Sequence, residues 1–481
     1  MDQAGLEKFF LNGILVDSSI KNVSIEDIDA LIAKLKENNV NFLDNASLKK
    51  YLQQDSMTED TAVEIIKNYD GKTSASKPSD WAAYFNDRFN RLKTILMNKQ
   101  TNGVTSIANL KNVPSNTQVS VIAMIASVSI SPIKKYMVLD IEDNTGRYRA
   151  LSSVINQEIV DDQVVLISGK KSKDAIFIDE ITFPDSLVKD GTDVGITDSY
   201  ALFLSDIHVG SKLFAKKEFE RFIDWLCGRE EEYASISKCV KFIVIAGDMI
   251  DGIGVYPDQE KELEIKSLAG QYEALYMLLD RIPKHIKILL SQGNHDATHI
   301  AEPQPVLDRK FGGSMFNLKN AVFLSNPYQV NLIVGNKKVN LLSYHGFSLM
   351  YYVNSIQKYN KMTENDIISI MKLQLKSRHL APTHGSAQLI PLDRDYLVID
   401  ETPDIYVTGH VHKAAAAKYK ETLLINASCW QYQTSYQKKY GIEPDIAKVV
   451  AVNLRDKTFQ ILDFMGEKVQ ISRKGIKEEA I

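Results

Sequence analysis

Short apolar runs separated by amphipathic stretches fill the second half of the chain. Five of these runs have the length and continuity of buried strands, at residues 201–204, 242–245, 286–290, 339–342 and 405–407. Apolar residues at helical spacing separate several of them, as at 218–225 and 266–281. Strands that alternate with helices predict an α/β domain, which we place at residues 195–460, followed by a strand and a charged tail at 461–481.

The first 80 residues follow a different pattern. Apolar positions recur at helix spacing within 28–35, and more weakly within 61–69, which predicts a small helical module over residues 1–70. Residues 71–80 are small and polar without periodicity, so we expect a flexible linker there.

Residues 81–190 are predicted to form an amphipathic helix followed by a small β-barrel. The helix, 81–96, has one aromatic face with Arg88 elsewhere, and it is expected to pack on its own domain or, alternatively, to bind a partner. Five β-rich runs follow, with a hairpin turn at 143–146, at residues 119–130, 136–141, 147–151, 164–168 and 175–181. Five strands in about seventy residues are typical of an OB-type barrel.

The composition is that of an ordinary globular protein. Of the 481 residues, 44% are apolar, and the net charge of −4 argues against a basic nucleic-acid coat while leaving a local basic groove open. The cysteines, Cys227, Cys239 and Cys429, form no CxxC pair, which argues against a disulfide framework or a cysteine zinc site. Because no segment resembles a secretion signal or a membrane span, we expect a cytoplasmic protein.

Polar residues follow each predicted strand of the α/β domain directly. These blocks supply seven candidate metal ligands: Asp206, His208, Asp248, Asn294, His345, His410 and His412. Two further polar residues, His295 and Asp296, lie beside the amide. Because α/β sheets place their sites beyond the carboxyl ends of strands, we expect these side chains to converge.

The ligand types point to phosphate-ester chemistry. Two carboxylates, one amide and four imidazoles suit two divalent cations about 3.5–4 Å apart, the arrangement that hydrolyses phosphate esters. Such a cluster would be electrostatically unfavourable when buried without a cation. Glycines precede three of the ligands, and we expect Gly247, Gly293 and Gly409 to let the backbone turn sharply and approach a phosphate.

The five blocks, intact and in this order, resemble the calcineurin-like metallophosphoesterases. More specific strings narrow the resemblance: Asn-His-Asp-Ala at 294–297, Ala-Glu-Pro-Gln-Pro at 301–305, Asp-Tyr-Leu-Val-Ile-Asp at 395–400 and Trp-Gln-x-Gln-Thr at 430–434. Together they look like the small, exonuclease subunits of archaeal D-family DNA polymerases. The resemblance implies a two-sheet αββα metallophosphoesterase domain preceded by an OB-like barrel and a small helical module.

The resemblance also implies roles for the ligands. Asp206, His208 and His412 would hold the first metal, and Asn294, His345 and His410 the second, with Asp248 bridging. His295 would stabilise or protonate the scissile phosphate, oriented by Asp296. Manganese is the metal that the resemblance implies, whereas the ligand types alone also suit iron, zinc or nickel.

The implied function is a 3′→5′ proofreading exonuclease that acts beside a large catalytic polymerase subunit on the 3′ end of DNA. The first alternative is a catalytically silent scaffold subunit, against which the intact ligand set argues. The second is a stand-alone metallophosphoesterase, against which the preceding barrel and the specific strings argue.

Two interaction surfaces are weaker predictions. Basic residues of the barrel, Lys134, Lys135, Arg147 and Arg149, are candidate DNA contacts, with a structural or subunit-docking barrel as the alternative. At the N-terminus, Gln3, Leu6, Phe9 and Phe10 match the spacing of sliding-clamp-binding peptides, and the alternative is that they are core residues of a helix.

Overall fold

The computed structural model describes residues 8–17, 28–37, 40, 42–43, 61–72, 77–99, 103–133, 135–186 and 197–474. The chain forms two compact units, Met1–Thr61 and Ala62–Ile481. Residues 73–76 of the predicted linker, Lys134, Gln3, Leu6 and the charged tail at 475–481 lie outside the described residues. Among the helices in those ranges, none combines the length and apolar character needed to cross a membrane.

The first unit contains the predicted helix, α1 (Ile28–Glu37), and two short parallel strands, β1 (Leu15–Val16) and β2 (Phe42–Leu43). Its small core includes Phe9, which is fully buried, whereas the neighbouring Phe10 is 71% exposed. The alternative to clamp binding, in which these residues belong to a helix core, is therefore confirmed for Phe9 and wrong for Phe10.

The prediction of a helix at 61–69 is wrong. Residues Thr61–Lys67 form strand β3, at one edge of the larger domain's six-stranded sheet. The β-branched residues of this segment favour a strand, and its Glu64 carboxylate accepts hydrogen bonds from Asn331 (2.7 Å) and Lys338 (2.9 Å). The predicted module therefore ends before this strand.

Helix α2 (Pro78–Lys99) begins within the predicted linker and packs on its own domain. Its residues Phe89, Leu92 and Leu96 are buried against the barrel. Arg88, expected on the polar face, is instead fully buried, with its Nε 2.8 Å from Oδ2 of Asp395. The helix thus joins the barrel to the α/β domain.

The barrel contains the five predicted strands, and it is closed. They are β4 (Gln118–Ile130), β5 (Met137–Asp143), β6 (Gly146–Ser152), β7 (Val164–Lys171) and β8 (Ile176–Thr182). The strand order around the barrel is β4-β5-β6-β8-β7, with β6 and β8 parallel and the other neighbours antiparallel. Asp143 stabilises the hairpin turn by accepting hydrogen bonds from the backbone N–H groups of Thr145 (2.8 Å) and Gly146 (3.1 Å).

The α/β domain is built on two mixed sheets. Its other strands are β9 (Tyr200–Leu204), β10 (Val240–Ala246), β11 (Lys287–Ser291), β12 (Ala321–Phe323), β13 (Tyr328–Val334), β14 (Lys337–Ser343), β15 (Ile405–Thr408), β16 (Ala415–Tyr419), β17 (Thr422–Asn426), β18 (Lys448–Asn453), β19 (Phe459–Asp463) and β20 (Gln470–Lys474). One sheet has the order β12-β11-β10-β9-β18-β19-β20 and the other β16-β17-β15-β14-β13-β3. Because β19 and β20 belong to the first sheet, the predicted domain end at residue 460 is too early.

Helices cover the outer faces of both sheets. Helices α3 (Lys216–Leu226) and α5 (Leu268–Leu279) pack on one sheet, and α7 (Leu349–Ser355) and α8 (Glu364–Ser377) pack on the other. The domain also contains α4 (Ala234–Ser237), α6 (Arg309–Gly312) and α9 (Ser435–Tyr440). Short 3₁₀ helices occur at Ala108–Asn112, Gln259–Lys261, Gly313–Asn317 and Gln357–Tyr359. Alternate residues of β9 face opposite cores: Phe203 packs between the sheets, and Leu204 packs against α3 and α5. This arrangement gives the predicted order of helix, sheet, sheet and helix layers.

Candidate metal centre

The predicted ligands lie on loops at the carboxyl ends of five strands. Asp206 and His208 follow β9, Asp248 follows β10, Asn294 follows β11, His345 follows β14, and His410 and His412 follow β15. Since β9, β10 and β11 are parallel neighbours, as are β14 and β15, these ends share one edge of the two-sheet core. The structure brings all seven side chains to this edge, where α/β sheets place their sites.

Strained backbone is concentrated at these loops. Five ligands adopt the left-handed region: Asp206 (φ 52°), His208 (φ 54°), Asp248 (φ 49°), His410 (φ 69°) and His412 (φ 55°). Each such residue destabilises the fold by about 1–3 kcal/mol, and strain of this kind collects at functional sites. Its accumulation here favours a site selected for chemistry over one selected for stability.

The first cluster consists of Asp206, His208 and His412. Oδ1 of Asp206 lies 3.3 Å from Nε2 of His412 and 3.8 Å from Nε2 of His208, and the two Nε2 atoms are 3.2 Å apart. This Oδ1 atom is buried without a hydrogen-bond partner. A buried carboxylate oxygen that lies beside two imidazole nitrogens and accepts no hydrogen bond is a suitable ligand for a divalent cation.

The second cluster consists of Asp248, His345 and His410, with Asn294 beside them. Nε2 of His345 lies 3.2 Å from Oδ2 of Asp248 and 3.1 Å from Oδ1 of Asn294. The ring of His410 is 5.1 Å from that of His345. Carboxylate, amide and imidazole donors in one buried group again suit a divalent cation.

The electrostatics of the bare clusters show how strongly the site favours positive charge. Burial would raise the pKa of Asp206, but the His412 and His345 imidazoles together outweigh burial and the pKa falls to about 2. Burial would lower the pKa of His345, but the Asp248 and Asp206 carboxylates and the Ala246 carbonyl together outweigh it and the pKa rises to about 10. The carboxylates thus hold positive charge at the site, which is the role that bound cations take.

Fixed partners orient the imidazoles of both clusters. Nδ1 of His345 donates to the Ala246 carbonyl (2.8 Å), which leaves Nε2 for the centre. Nδ1 of His208 is 3.2 Å from Oδ1 of Asp251, and Nδ1 of His412 is 2.9 Å from Nε2 of Gln437. Sequence reasoning missed the role of Gln437. Such partners set ligand orientation in metal sites.

His295 lies against the second cluster, but Asp296 does not orient it. The His295 backbone N–H donates to Oδ1 of Asp248 (2.8 Å), and its Nδ1 donates to the Asp251 carbonyl (2.8 Å). Asp296 instead accepts from the backbone N–H groups of Gly293 (2.8 Å) and Met249 (3.2 Å). Burial raises the pKa of Asp296 to about 7. The group that orients His295 is therefore the Asp251 carbonyl, and not Asp296 as we predicted. Asp296 instead holds together the loops that carry Asn294 and Asp248.

The glycines before the ligands are required by crowding. A Cβ at Gly293 would lie 2.3 Å from Oδ1 of Asp248, and one at Gly247 would lie 2.4 Å from Nδ1 of His345. Gly247 also has a φ of 93°, which favours glycine. The close approach at these two glycines is thus to neighbouring candidate ligands.

A buried polar brace, missed by sequence reasoning, joins the two loops that carry Asn294 and His345. Nε2 of Gln304 donates to the Gly293 carbonyl (3.2 Å), and Oε1 accepts from Nδ2 of Asn326 (2.8 Å). Oδ1 of Asn326 in turn accepts from the His345 backbone N–H (2.7 Å). The only sequence signal was the Ala-Glu-Pro-Gln-Pro string that contains Gln304.

The predicted DNA contacts lie on the barrel. Lys135 is exposed, and both arginines are paired: Arg147 with Glu142 (2.7 Å) and Arg149 with Asp140 (3.2 Å). These carboxylates offset the arginine charges, which weakens the case for a basic DNA-binding strip on β6.

Comparison with known proteins extends the likeness beyond the site. Residues 200–414 match the calcineurin-like phosphoesterase family. The chain is 38% identical to the DNA polymerase II small subunit of Archaeoglobus fulgidus over 80% of this chain and 77% of that protein. It is 32% identical to the subunit of Thermoplasma acidophilum, over 96% and 93% respectively. It is 33% identical to the subunit of Methanothermobacter thermautotrophicus, over 93% and 97%.

Proposed function

Because the chain belongs to the family of archaeal DNA polymerase II small subunits, we propose that it is a metal-dependent 3′→5′ exonuclease that proofreads for a D-family polymerase. The observation that carries the proposal is the complete ligand set, gathered into two buried clusters. Two buried carboxylates among strained histidines argue against a scaffold subunit, because such a group of side chains is energetically unfavourable without bound cations.

Each protein group has a task in hydrolysis of the terminal phosphodiester. Asp206, His208 and His412 would hold one divalent cation, and the second cluster the other, with Asp248 between them. When bound, the two cations neutralise the phosphodiester and activate the attacking water. Manganese is the proposed metal.

His295 is the proposed group that acts on the scissile phosphate. Its Nδ1 is bound to the Asp251 carbonyl, and its ring lines the same cavity as Asp248, with Nε2 4.0 Å from Oδ2 of Asp248. A protonated ring held in this way can donate at Nε2 to the charge that develops on the phosphate or on the departing 3′-oxygen.

The proposed partners are the large catalytic subunit and the 3′ end of DNA. The closed five-stranded barrel supports this proposal, because barrels of the proposed OB type bind oligonucleotides. Charge pairing on β6 favours docking of the large subunit over direct DNA contact as the role of the barrel.

A 5′-labelled primer–template with a mismatched 3′ end tests the function. The chain, with and without its large partner, is incubated with Mn²⁺, with Mg²⁺ or with chelator, beside an Asp248→Ala variant. We expect a metal-dependent ladder that shortens from the 3′ end and is absent in the variant. A stable polymerase complex without degradation would favour the scaffold alternative, and activity without any association with a large subunit would favour a stand-alone phosphoesterase.

The His295→Ala variant tests the mechanism separately. Because His295 is a ligand in neither cluster, the variant should keep its metals and lose turnover by about 3–4 kcal/mol in activation free energy, the size of one lost stabilising donor. Loss of both metals from this variant would contradict the assigned role.

A further inference from the structure

The metal centre opens into a cavity of about 270 Å³ whose remaining wall is apolar and aromatic. Val255, Tyr256, Met350, Met362, Tyr436 and Ile442 form this wall, and ligands of both clusters form the other side. A phosphate seated at the clusters would leave its nucleoside facing the apolar wall. Sites that hold a ligand in this way are mostly apolar with a few polar groups that fix orientation.

The amide nitrogens of both glutamines in this cavity, Gln431 and Gln437, are already engaged. The amide nitrogen of Gln431 donates to Ser211 (3.0 Å) and Asp251 (2.9 Å). Gln437 contacts His412 through Nε2, and its Oε1 accepts from the backbone N–H of Thr434 (3.0 Å). The wall is therefore suited to the face of a planar ring, and it offers little to read the hydrogen-bonding edge of a base.

Tyr256 is the aromatic residue fixed most firmly beside the reacting groups. Its hydroxyl donates to Glu262 (3.0 Å), and its ring centroid is 6.2 Å from that of His295. Its loop is tied to the site because Gln259 accepts from the Val255 backbone N–H (2.9 Å) and donates to the Asp251 carbonyl (2.7 Å). The Asp251 carbonyl also holds His295, so Tyr256 and His295 share one anchor.

We propose that this wall, through Tyr256, receives the unpaired base of the 3′-terminal nucleotide by stacking, without regard to base identity. The inference rests on the proposed exonuclease function and adds the subsite that places the nucleotide. A base enclosed in the cavity cannot remain paired with a template, so ends that fray readily, such as mismatched ends, enter most easily. Base–aromatic stacking of this kind tolerates any sequence because every base has a π-face.

The test compares two single-stranded oligonucleotides that differ only in the last position, which is either a normal nucleotide or an abasic analogue. Full-length protein loaded with Mn²⁺ is assayed for KM and kcat as wild type, Tyr256→Ala and Tyr256→Phe. We expect Tyr256→Ala to raise KM roughly 5- to 150-fold on the normal end, the range expected for one stacked base. On the abasic end it should change KM little, and Tyr256→Phe should behave as wild type on both.

Tyr432 supplies a matched control. It is a tyrosine whose hydroxyl also donates to a glutamate, Glu218, at 3.0 Å, but it does not line the cavity. Tyr432→Ala should leave both KM values unchanged.

Four results would overturn the inference. An equal effect of Tyr256→Ala on both substrates would show that the ring acts on the site in general, and no effect on either would remove it from binding. Wild-type protein that cleaves both ends with equal KM would overturn the base subsite alone, whereas cleavage of neither end would overturn the proposed function with it.

Discussion

Asp251→Asn should selectively weaken the first metal cluster. Every described group that faces the Asp251 carboxylate is a donor: Nδ1 of His208 (3.2 Å) and Nε2 of Gln431 (2.9 Å) at Oδ1, and Nε2 of Gln259 (3.0 Å) at Oδ2. An asparagine is neutral, so His208 loses its charged acceptor even when the amide oxygen faces Nδ1, and the NH₂ group then faces the Nε2 donor of Gln259. The substitution keeps the backbone carbonyl that holds His295.

The magnitude follows from the loss of one hydrogen bond to a charged acceptor, about 1.5–3 kcal/mol. If His208 loses its orientation, the affinity of the first cluster for Mn²⁺ should fall roughly 10- to 100-fold, as for other residues that orient metal ligands. The second cluster contains neither His208 nor Asp251, so its affinity should fall less than that of the first.

Titration of metal-free protein with Mn²⁺, with the free ion followed by electron paramagnetic resonance, measures both affinities. The control is Asp258→Asn, an exposed carboxylate paired with Lys261 (2.7 Å), which should leave both unchanged. Two unaltered affinities in Asp251→Asn would refute the idea that this carboxylate orients His208. Equal loss at both clusters in a folded variant would refute the separation of the two clusters.

Other consequences concern the brace and the ion network under helix α2. Gln304→Leu should weaken metal binding at the second cluster by about 1–3 kcal/mol, measured by the same titration, because Asn326 then loses its buried acceptor. Arg88→Met should lower the free energy of unfolding in urea by about 3–5 kcal/mol, since Asp395 loses a buried cation. Burial lowers the pKa of His379 to about 4, so between pH 6.5 and 4 the unfolded chain binds a proton at this residue more readily than the folded chain does. The free energy of unfolding should therefore fall by up to about 3 kcal/mol from pH 6.5 to 4. In His379→Gln it should fall less.

The convergence of the candidate ligands could be predicted from the sequence because each follows an apolar strand within a few residues. That spacing is local, and parallel strands bring local features to one edge. The barrel strands were predictable for the same reason, since their β-rich runs and the turn at 143–146 are read within short windows.

The remaining features depend on contacts between distant segments. Arg88 was expected on a polar helix face because its partner, Asp395, lies 307 residues away. Residues 61–69 were predicted to be helical because their local sequence does not show that they join the edge of a sheet whose other strands lie far away in the sequence. Asn326 and Gln304 gave no separate signal, since their roles arise only when two ligand loops meet. Asp296 was predicted to orient His295 because the two residues are adjacent in the sequence, whereas in the structure the Asp251 carbonyl holds His295.

The most direct test of the central claim is a stoichiometric titration of activity. Metal-free protein receives Mn²⁺ in steps while hydrolysis of a single-stranded 3′ end and the bound metal are measured on the same samples. We expect two ions bound per chain, with hydrolysis that appears as the second ion binds. Full hydrolysis with one bound ion, or hydrolysis that persists after complete removal of metal, would contradict it.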